Sequence, residues 1–396
     1  MRAAQQEGLL AARYEFVHII FNGKDKGIYA LQEQATQDLL AAQGCPPGVI
    51  AKFDTRPLLE SLAAFHGDAE TAFSDPVAEL SPATAHSLGV NTLQETRLGD
   101  ENDPALSLQQ EQAAAMLYAL QANTRPASQI FDTTQYGRFL ALVDLWNAPG
   151  ATSVLNLKYY YNPVTEKLEP IIFNANALSN TGRLSLDTAC CDPEIAASYA
   201  QEALRLSNPA YIEALQEMLE PEWQQLSRAF KEENRGTPVP PWEALQVRQE
   251  ALRQSLNPTQ PVLAYLLKTA PETYAVLQIG IGNPLNLPLE IVGLDVNGTT
   301  FLDLDPAWLY PTSEDLLIET PGGALALCAF GTNGVQHIQY ARFDIPLAAI
   351  HAVDAEANFN GPLNIQVVTR IWGLDTPQFT PVRYGMPDPI FIEAHE

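Results

Sequence analysis

A chain of 396 residues in which 46% are apolar can bury more than one hydrophobic core, and a length of this order predicts two or three domains. Its net charge of −25, from 47 acidic against 22 basic residues, disfavours binding to nucleic-acid backbones, which requires clustered Lys and Arg. No apolar run approaches the about 18 residues of a membrane-spanning helix, and the opening residues lack a charged start followed by an apolar block, so neither a transmembrane segment nor a signal peptide is expected in the sequence as given.

Residues 1–13 read as the tail of a helix that feeds a β-hairpin. The hairpin is an apolar run from Phe16 to Phe21, a turn opened by Asn22-Gly23 and closed by Gly27, and a second run led by Ile28 and Tyr29. A short helix over Gln34–Gln43 follows. Between about His66 and Pro104 the chain becomes acidic and polar, with Asp68, Glu70, Asp75, Glu79, Asp100, Glu101 and Asp103, which predicts a solvated, partly disordered insertion.

Asp132 stands where an N-cap should, with Gln135 three residues on, and Phe139, Leu142, Val143 and Trp146 recur on one helical face. Two strands are expected next, around Tyr159–Tyr161 and Leu168–Phe173, joined by a loop through Asn162-Pro163. From Pro193 to Asn257 the spacing is helical, with Pro193 and Pro209 near helix starts, where proline is tolerated. Pro238 to Pro241 marks a stiff connection before a last helix from Trp242 to Leu256. After Pro261 the period changes to strands, at Tyr274–Ile281, Leu289–Val296, Ala324–Phe330, Ile338–Ile345 and Leu363–Trp372, which predicts an antiparallel β-sandwich.

The stretch Asn22-Gly23, Gly27, Tyr29 and Glu33, taken with Tyr159-Tyr160-Tyr161 and Leu168-Glu169-Pro170 leading to Phe173, resembles the spore-coat protein H (CotH) kinase family over residues 14–40 and 131–178. The resemblance implies a two-lobed kinase-like fold in which the hairpin ends at the hinge that holds adenine, near Gln32 and Glu33. It implies ATP and Mg²⁺ as cofactors, with metal at the end of the strand after Phe173. Here the family pattern departs: Asn174 and Asn176 stand where metal-binding Asp residues would, and Ala151 stands at the catalytic Asp position, leaving Asn156 as the surviving catalytic-loop and metal residue. Phosphoryl transfer needs carboxylates on Mg²⁺, so ATP and Mg²⁺ are expected to be held weakly or not at all. The family's glycine-rich and lysine-rich strands have no counterpart in this sequence, so no phosphate lysine is assigned.

Other motifs carry little. Cys190 and Cys191 are adjacent and lack a second ligand pair, so they are expected to be buried or semi-buried thiols. Gly280-Ile281-Gly282 lacks the third glycine of a dinucleotide fingerprint and is read as turn chemistry. Asn297-Gly298-Thr299 is read as a β-turn, and the six histidines show no metal or triad spacing.

The expected fold class is therefore α+β, with a kinase-like larger lobe and hinge β-hairpin over 1–257 and an antiparallel β-sandwich over 262–396. The expected function is that of a catalytically impaired kinase-fold protein acting as a surface or envelope binding or structural protein. The alternative is an active Mg-ATP-dependent protein Ser/Thr kinase completed by a lobe outside this sequence. Either way the expected partner is a protein, as binding partner or substrate, and not nucleic acid. Family members imply an extracytoplasmic or cell-envelope location if an export signal lies upstream.

Overall fold

The computed structural model describes residues 1–56, 59–60, 63–64, 67, 92–96, 104–122, 124–178, 192–233, 242–268, 276–298, 300–311, 317–319, 325–327, 338–355 and 364–385. The chain is α+β and divides into two compact units, one of residues 1–185 with 202–254, the other of 186–201 with 255–396.

The first unit opens with helix α1 (Arg2–Gln6), the short strand β1 (Leu10–Ala11) and the hairpin β2 (Tyr14–Phe21) and β3 (Lys24–Gln32). Asn22 and Gly23 both have positive φ, and Phe21 pairs with Lys24, so the turn is the two-residue type that matches strand twist. Gly27 does not close that turn. It lies inside β3 at φ +84, where Ile19 pairs with Gly27 and Ile20 with Asp25, leaving Lys26 as the extra residue of a bulge. The Asp25 side chain accepts the Gly27 N–H at 2.9 Å and braces the bulge.

Next come α2 (Gln37–Ala42), β4 (Ile50–Asp54), β5 (Thr92–Thr96), α3 (Pro104–Gln121), α4 (Ala127–Ile130), α5 (Thr133–Leu145), β6 (Lys158–Asn162) and β7 (Lys167–Ile172). Strand β5 is a correction to the expected polar insertion: Thr92–Thr96 pairs antiparallel with β4, while most of residues 66–104 lie outside the described residues. A five-stranded sheet results, in the order β1-β7-β6-β4-β5, with β1 parallel to β7 and the other neighbours antiparallel.

Three consecutive tyrosines are buried in β6 because both faces of this sheet are covered. Tyr159 faces an aromatic cluster in which Phe131 stacks on Tyr136 at 3.9 Å and Phe53 meets Tyr159 edge-on. Tyr160 points the other way, into a core of Leu10, Ala12, Leu39, Leu40, Ile50 and Ile171. The hydroxyls of Tyr160 and Tyr161 donate to Pro46 O and Gln112 Oε1, each at 2.8 Å, so neither burial leaves an orphan donor. Asp132 caps α5 as its spacing predicts, accepting the Gln135 N–H at 2.9 Å.

The helices α6 (Pro193–Leu206), α7 (Pro209–Glu233) and α8 (Trp242–Ser255) follow, the first two with Pro at their first position. Within the first unit Arg138 and Arg205 share the carboxylates of Glu7 and Glu202, joining α5, the end of α6 and the residue after α1.

The second unit holds two sheets. The strands are β8 (Leu263–Lys268), β9 (Val276–Gly282), β10 (Leu289–Val296), β11 (Thr300–Asp303), β12 (Leu317–Glu319), β13 (Leu325–Leu327), β14 (Tyr340–Pro346), β15 (Ile365–Ile371), β16 (Gln378–Pro381) and β17 (Arg383–Tyr384), with α9 (Leu347–Val353) after β14. One sheet runs β12-β13-β10-β15-β16, with β11 also paired to β10; the other runs β14-β9-β8-β17. Every pairing is antiparallel except β17 with β8. A buried Glu290 on β10 is directly opposite Arg370 on β15 and the two form an ion pair. Asn297 and Gly298 form the expected turn, both at positive φ.

Gly280 and Gly282 are not turn residues. They sit inside β9, where a Cβ on Gly282 would stand 2.7 Å from Ile338 and 2.9 Å from the Tyr340 ring. The glycines admit neighbouring side chains to the strand, which is a packing role.

Gly373 and Gly298 both have positive φ, but only Gly373 is crowded, a Cβ there falling 2.5 Å from the Ala197 Cα. Gly373→Ala is therefore expected to lower stability by roughly 2–4 kcal/mol and Gly298→Ala by about 1 kcal/mol. Urea unfolding of the two variants checks this, and equal losses would mean that backbone conformation alone sets the cost.

Candidate functional site

The candidate site forms where β7 ends. The loop after it holds three non-glycine residues in the left-handed region, Asn174 at φ 50, Asn176 at φ 50 and Leu178 at φ 56. Asn tolerates this conformation, whereas a bulky Leu rarely adopts it, so the surroundings must hold the loop in place. Several contacts do so. The Leu178 N–H donates to Trp146 O at 2.7 Å. The 3₁₀ turn Pro149–Thr152 comes so close that a Cβ on Gly150 would lie 2.7 Å from Asn174 O. Only glycine fits there.

Asn156 fastens the two segments together. Its Nδ2 donates to Gly150 O at 3.0 Å and to Asn174 O at 3.4 Å, and its Oδ1 accepts from Asn174 Nδ2 at 3.2 Å. The side chains of Asn156 and Asn174 thus engage each other, while Asn176 is exposed. Ala151, at the position expected for a catalytic carboxylate, is 2% exposed inside the same turn.

Of the expected cofactor-binding residues, Gln32 and Glu33 stand at the end of β3. Gln32 pairs across the hairpin with Tyr14, whose hydroxyl is hydrogen-bonded by the backbone of Asn174; burial nonetheless pushes that hydroxyl's pKa up. The end of the hairpin and the asparagine loop therefore share a border. Glu33 is turned elsewhere. Its carboxylate receives Arg13 Nε at 3.0 Å and Arg13 N at 3.1 Å, and these hydrogen bonds hold its pKa below the ordinary value.

Among the described residues, the carboxylates nearest in sequence serve other contacts. Glu169 is buried in β7, accepts from Asn162 Nδ2 at 2.7 Å, and has its pKa raised by burial. Asp192 caps α6 by accepting from Glu194 N at 3.0 Å. Asp187, Cys190 and Cys191 lie outside the described residues. Among the described residues no group of three or more His, Cys, Asp or Glu side chains is placed to hold a metal ion. Neutral amide oxygens, one of them already accepting a hydrogen bond, are a poor seat for Mg²⁺, which favours charged oxygen and dehydrates reluctantly.

Sequence reasoning missed a lysine beside this loop. Lys158 opens β6 two residues after Asn156, and its Nζ sits 3.3 Å from the centroid of the Phe173 ring. Lys52 on β4 is its direct cross-strand neighbour. Burial, reinforced by the Lys52 charge, brings the Lys158 ammonium down to about 8. The available signal was a charged residue beginning a strand that is otherwise buried aromatic.

No family model matches the chain, and no curated protein does.

Because the fold disfavours charged Lys158, that cost is full below pH about 8 and fades as the pH rises toward the ordinary lysine value of 10.5, where the unfolded chain also loses the proton. Lys158→Met is accordingly expected to raise the urea midpoint at pH 7 and to raise it less at pH 10. A gain of the same size at both pH values would show that the ammonium carries no such cost.

Proposed function

We propose that this chain is a catalytically impaired kinase-fold protein of the CotH kind that serves as a binding or structural protein at a cell surface or envelope, with a protein partner. Support comes from the order of parts in the first unit. A type I′ hairpin ends beside a loop that follows β7, and an asparagine ahead of the β6–β7 hairpin reaches that loop. Phosphoryl transfer would use such an arrangement to present metal carboxylates to the nucleotide. In this chain the corresponding positions are Ala151, Asn156, Asn174 and Asn176.

One observation carries the impaired reading: the mutual hydrogen bonding of the Asn156 and Asn174 side chains. It gives the pair a structural task, holding the turn at Gly150 against the β7 loop, that does not require a cation. In this reading the two sheets of the second unit build a β-sandwich that serves as an interaction or spacer module. Among the described residues no helix is long and apolar enough to cross a membrane.

Calorimetry with ATP, with and without Mg²⁺, tests the reading on the unmodified chain and on an Asn174→Asp, Asn176→Asp double variant, together with phosphate incorporation into a generic Ser/Thr substrate. The unmodified chain is expected to show no Mg²⁺-dependent ATP binding in the micromolar range and background transfer. Micromolar Mg²⁺-dependent binding or turnover by the unmodified chain would overturn the impaired reading. Mg²⁺ binding that appears only in the double variant would support the placement of the loop.

A further inference from the structure

The hairpin of β2 and β3 has two unlike faces. On the first, Phe16 meets Phe230 of α7 edge-on at 5.1 Å, and His18 pairs with Asp25. Side chains alternate along a strand, so Glu15, Val17, Ile19 and Phe21 point the other way. Each of these four is directly opposite a residue of β3, respectively Leu31, Tyr29, Gly27 and Lys24, which therefore share the second face. Phe21, Tyr29 and Leu31 are 61%, 49% and 57% exposed. Large apolar side chains gathered on one face, unlike ones scattered singly, mark a surface that another molecule covers.

The arrangement of charge and shape on this face identifies its occupant. The chain as a whole carries −25, which sets two copies against each other, but this face holds one Glu and one Lys and is neutral. Those two charges stand at opposite ends: Glu15 at the root, across from Leu31, and Lys24 at the tip, across from Phe21. A two-fold axis running across the strands at the level of His18 and Ile28 lays face upon face with the strands antiparallel. Lys24 of each copy then falls over Leu31 of the other, beside its Glu15, so opposite charges meet at both ends. The same operation sets Tyr29 of each copy over Gly27 of the other, which brings no side chain of its own to the face. The face is thus complementary to itself.

We propose that the outward face of the β2–β3 hairpin is a self-association surface through which two copies of this chain form a two-fold dimer, with reciprocal Glu15 to Lys24 ion pairs flanking Val17, Ile19, Phe21, Tyr29 and Leu31. The proposal is independent of the kinase-like reading above. Size limits the strength of the dimer. Strands of eight and nine residues give a face about 27 Å long and roughly 10 Å wide. That is less than the about 800 Å² per partner of a stable complex, so the dimer is transient, with a Kd on the order of tens of micromolar.

Sedimentation velocity of the full chain, from about 1 to about 200 μM at physiological ionic strength, is expected to show a reversible monomer–dimer equilibrium in this range. Tyr29→Asp, at the centre of the face, should weaken it by about tenfold or more. Lys24→Glu and Glu15→Lys each place like charges together at both ends and should weaken it by roughly fivefold to tenfold. Combining Glu15→Lys with Lys24→Glu exchanges the charges and should restore the affinity of the unmodified chain. A chain that stays monomeric throughout would overturn the proposal and leave the face to a different protein. Association that continues beyond dimers would also overturn it, as would a dimer indifferent to Tyr29→Asp. So would a double variant no stronger than the single ones, since pairing through the strand edges would not respond to the exchange. If Tyr29→Asp fails to fold, judged by circular dichroism, the charge exchange at the two exposed ends still decides.

Discussion

Two residues of parallel pairing, Leu10 and Ala11 against Ile171 and Ile172, join parts of the first unit that are far apart in sequence. The pairing continues into Ala12, whose N–H donates to Ile172 O at 3.2 Å. Both strands leave this seam in the same direction toward the site: forward from Ala12 into the hairpin, and forward from Ile172 into the asparagine loop. Tyr14 and Asn174 lie two residues beyond the two ends of the seam, which is why the hydroxyl of one can meet the backbone of the other. The seam is buried on the face that carries Leu10, Ile171 and Tyr160. Hydrophobic burial holds it, since two rungs of hydrogen bonding would contribute little by themselves.

The Glu7, Arg138, Glu202 and Arg205 network acts just upstream of the same seam. It places the segment that precedes β1 against α5 and the last turn of α6. Its arginines are partly exposed, so its value lies in register more than in stability, as is usual for ion pairs reached by water.

Local chemistry was legible in the sequence, and long-range chemistry was not. The Asn22-Gly23 turn, the Asp132 cap and the prolines opening α6 and α7 are decided by residues within one turn of each other, and each could be read directly. Gly27 was misplaced because a bulge is defined by the opposite strand, where Ile19 and Ile20 set the register. Gly280 and Gly282 suggested a turn because their partners, Leu267, Ile338 and Tyr340, come from elsewhere in the chain. Strand β5 was hidden in a polar stretch because its pairing to β4, not its own composition, makes it a strand. At the site, the residue types at 156, 174 and 176 were legible. Their engagement with Gly150, and the presence of Tyr14 and Lys158 nearby, depended on the seam at β1 and β7, which no local pattern announces.

The hairpin of β2 and β3 belongs to no larger sheet among the described residues, and it exposes Ile20, Phe21 and Leu31. Two-stranded ribbons are marginally stable in water, and here the distal end lacks the packing that holds the base, where Phe16 meets Phe230 edge-on at 5.1 Å. Opening of the tip can therefore proceed without disturbing the Tyr159 to Tyr161 strand, whose amides are shielded on both faces. Amide hydrogen exchange would divide along that line, with the tip exchanging through low-energy local openings and the tyrosine strand only through openings close to global unfolding. The chain thus carries, within one unit, a soft projecting element rooted in one of its most rigid strands.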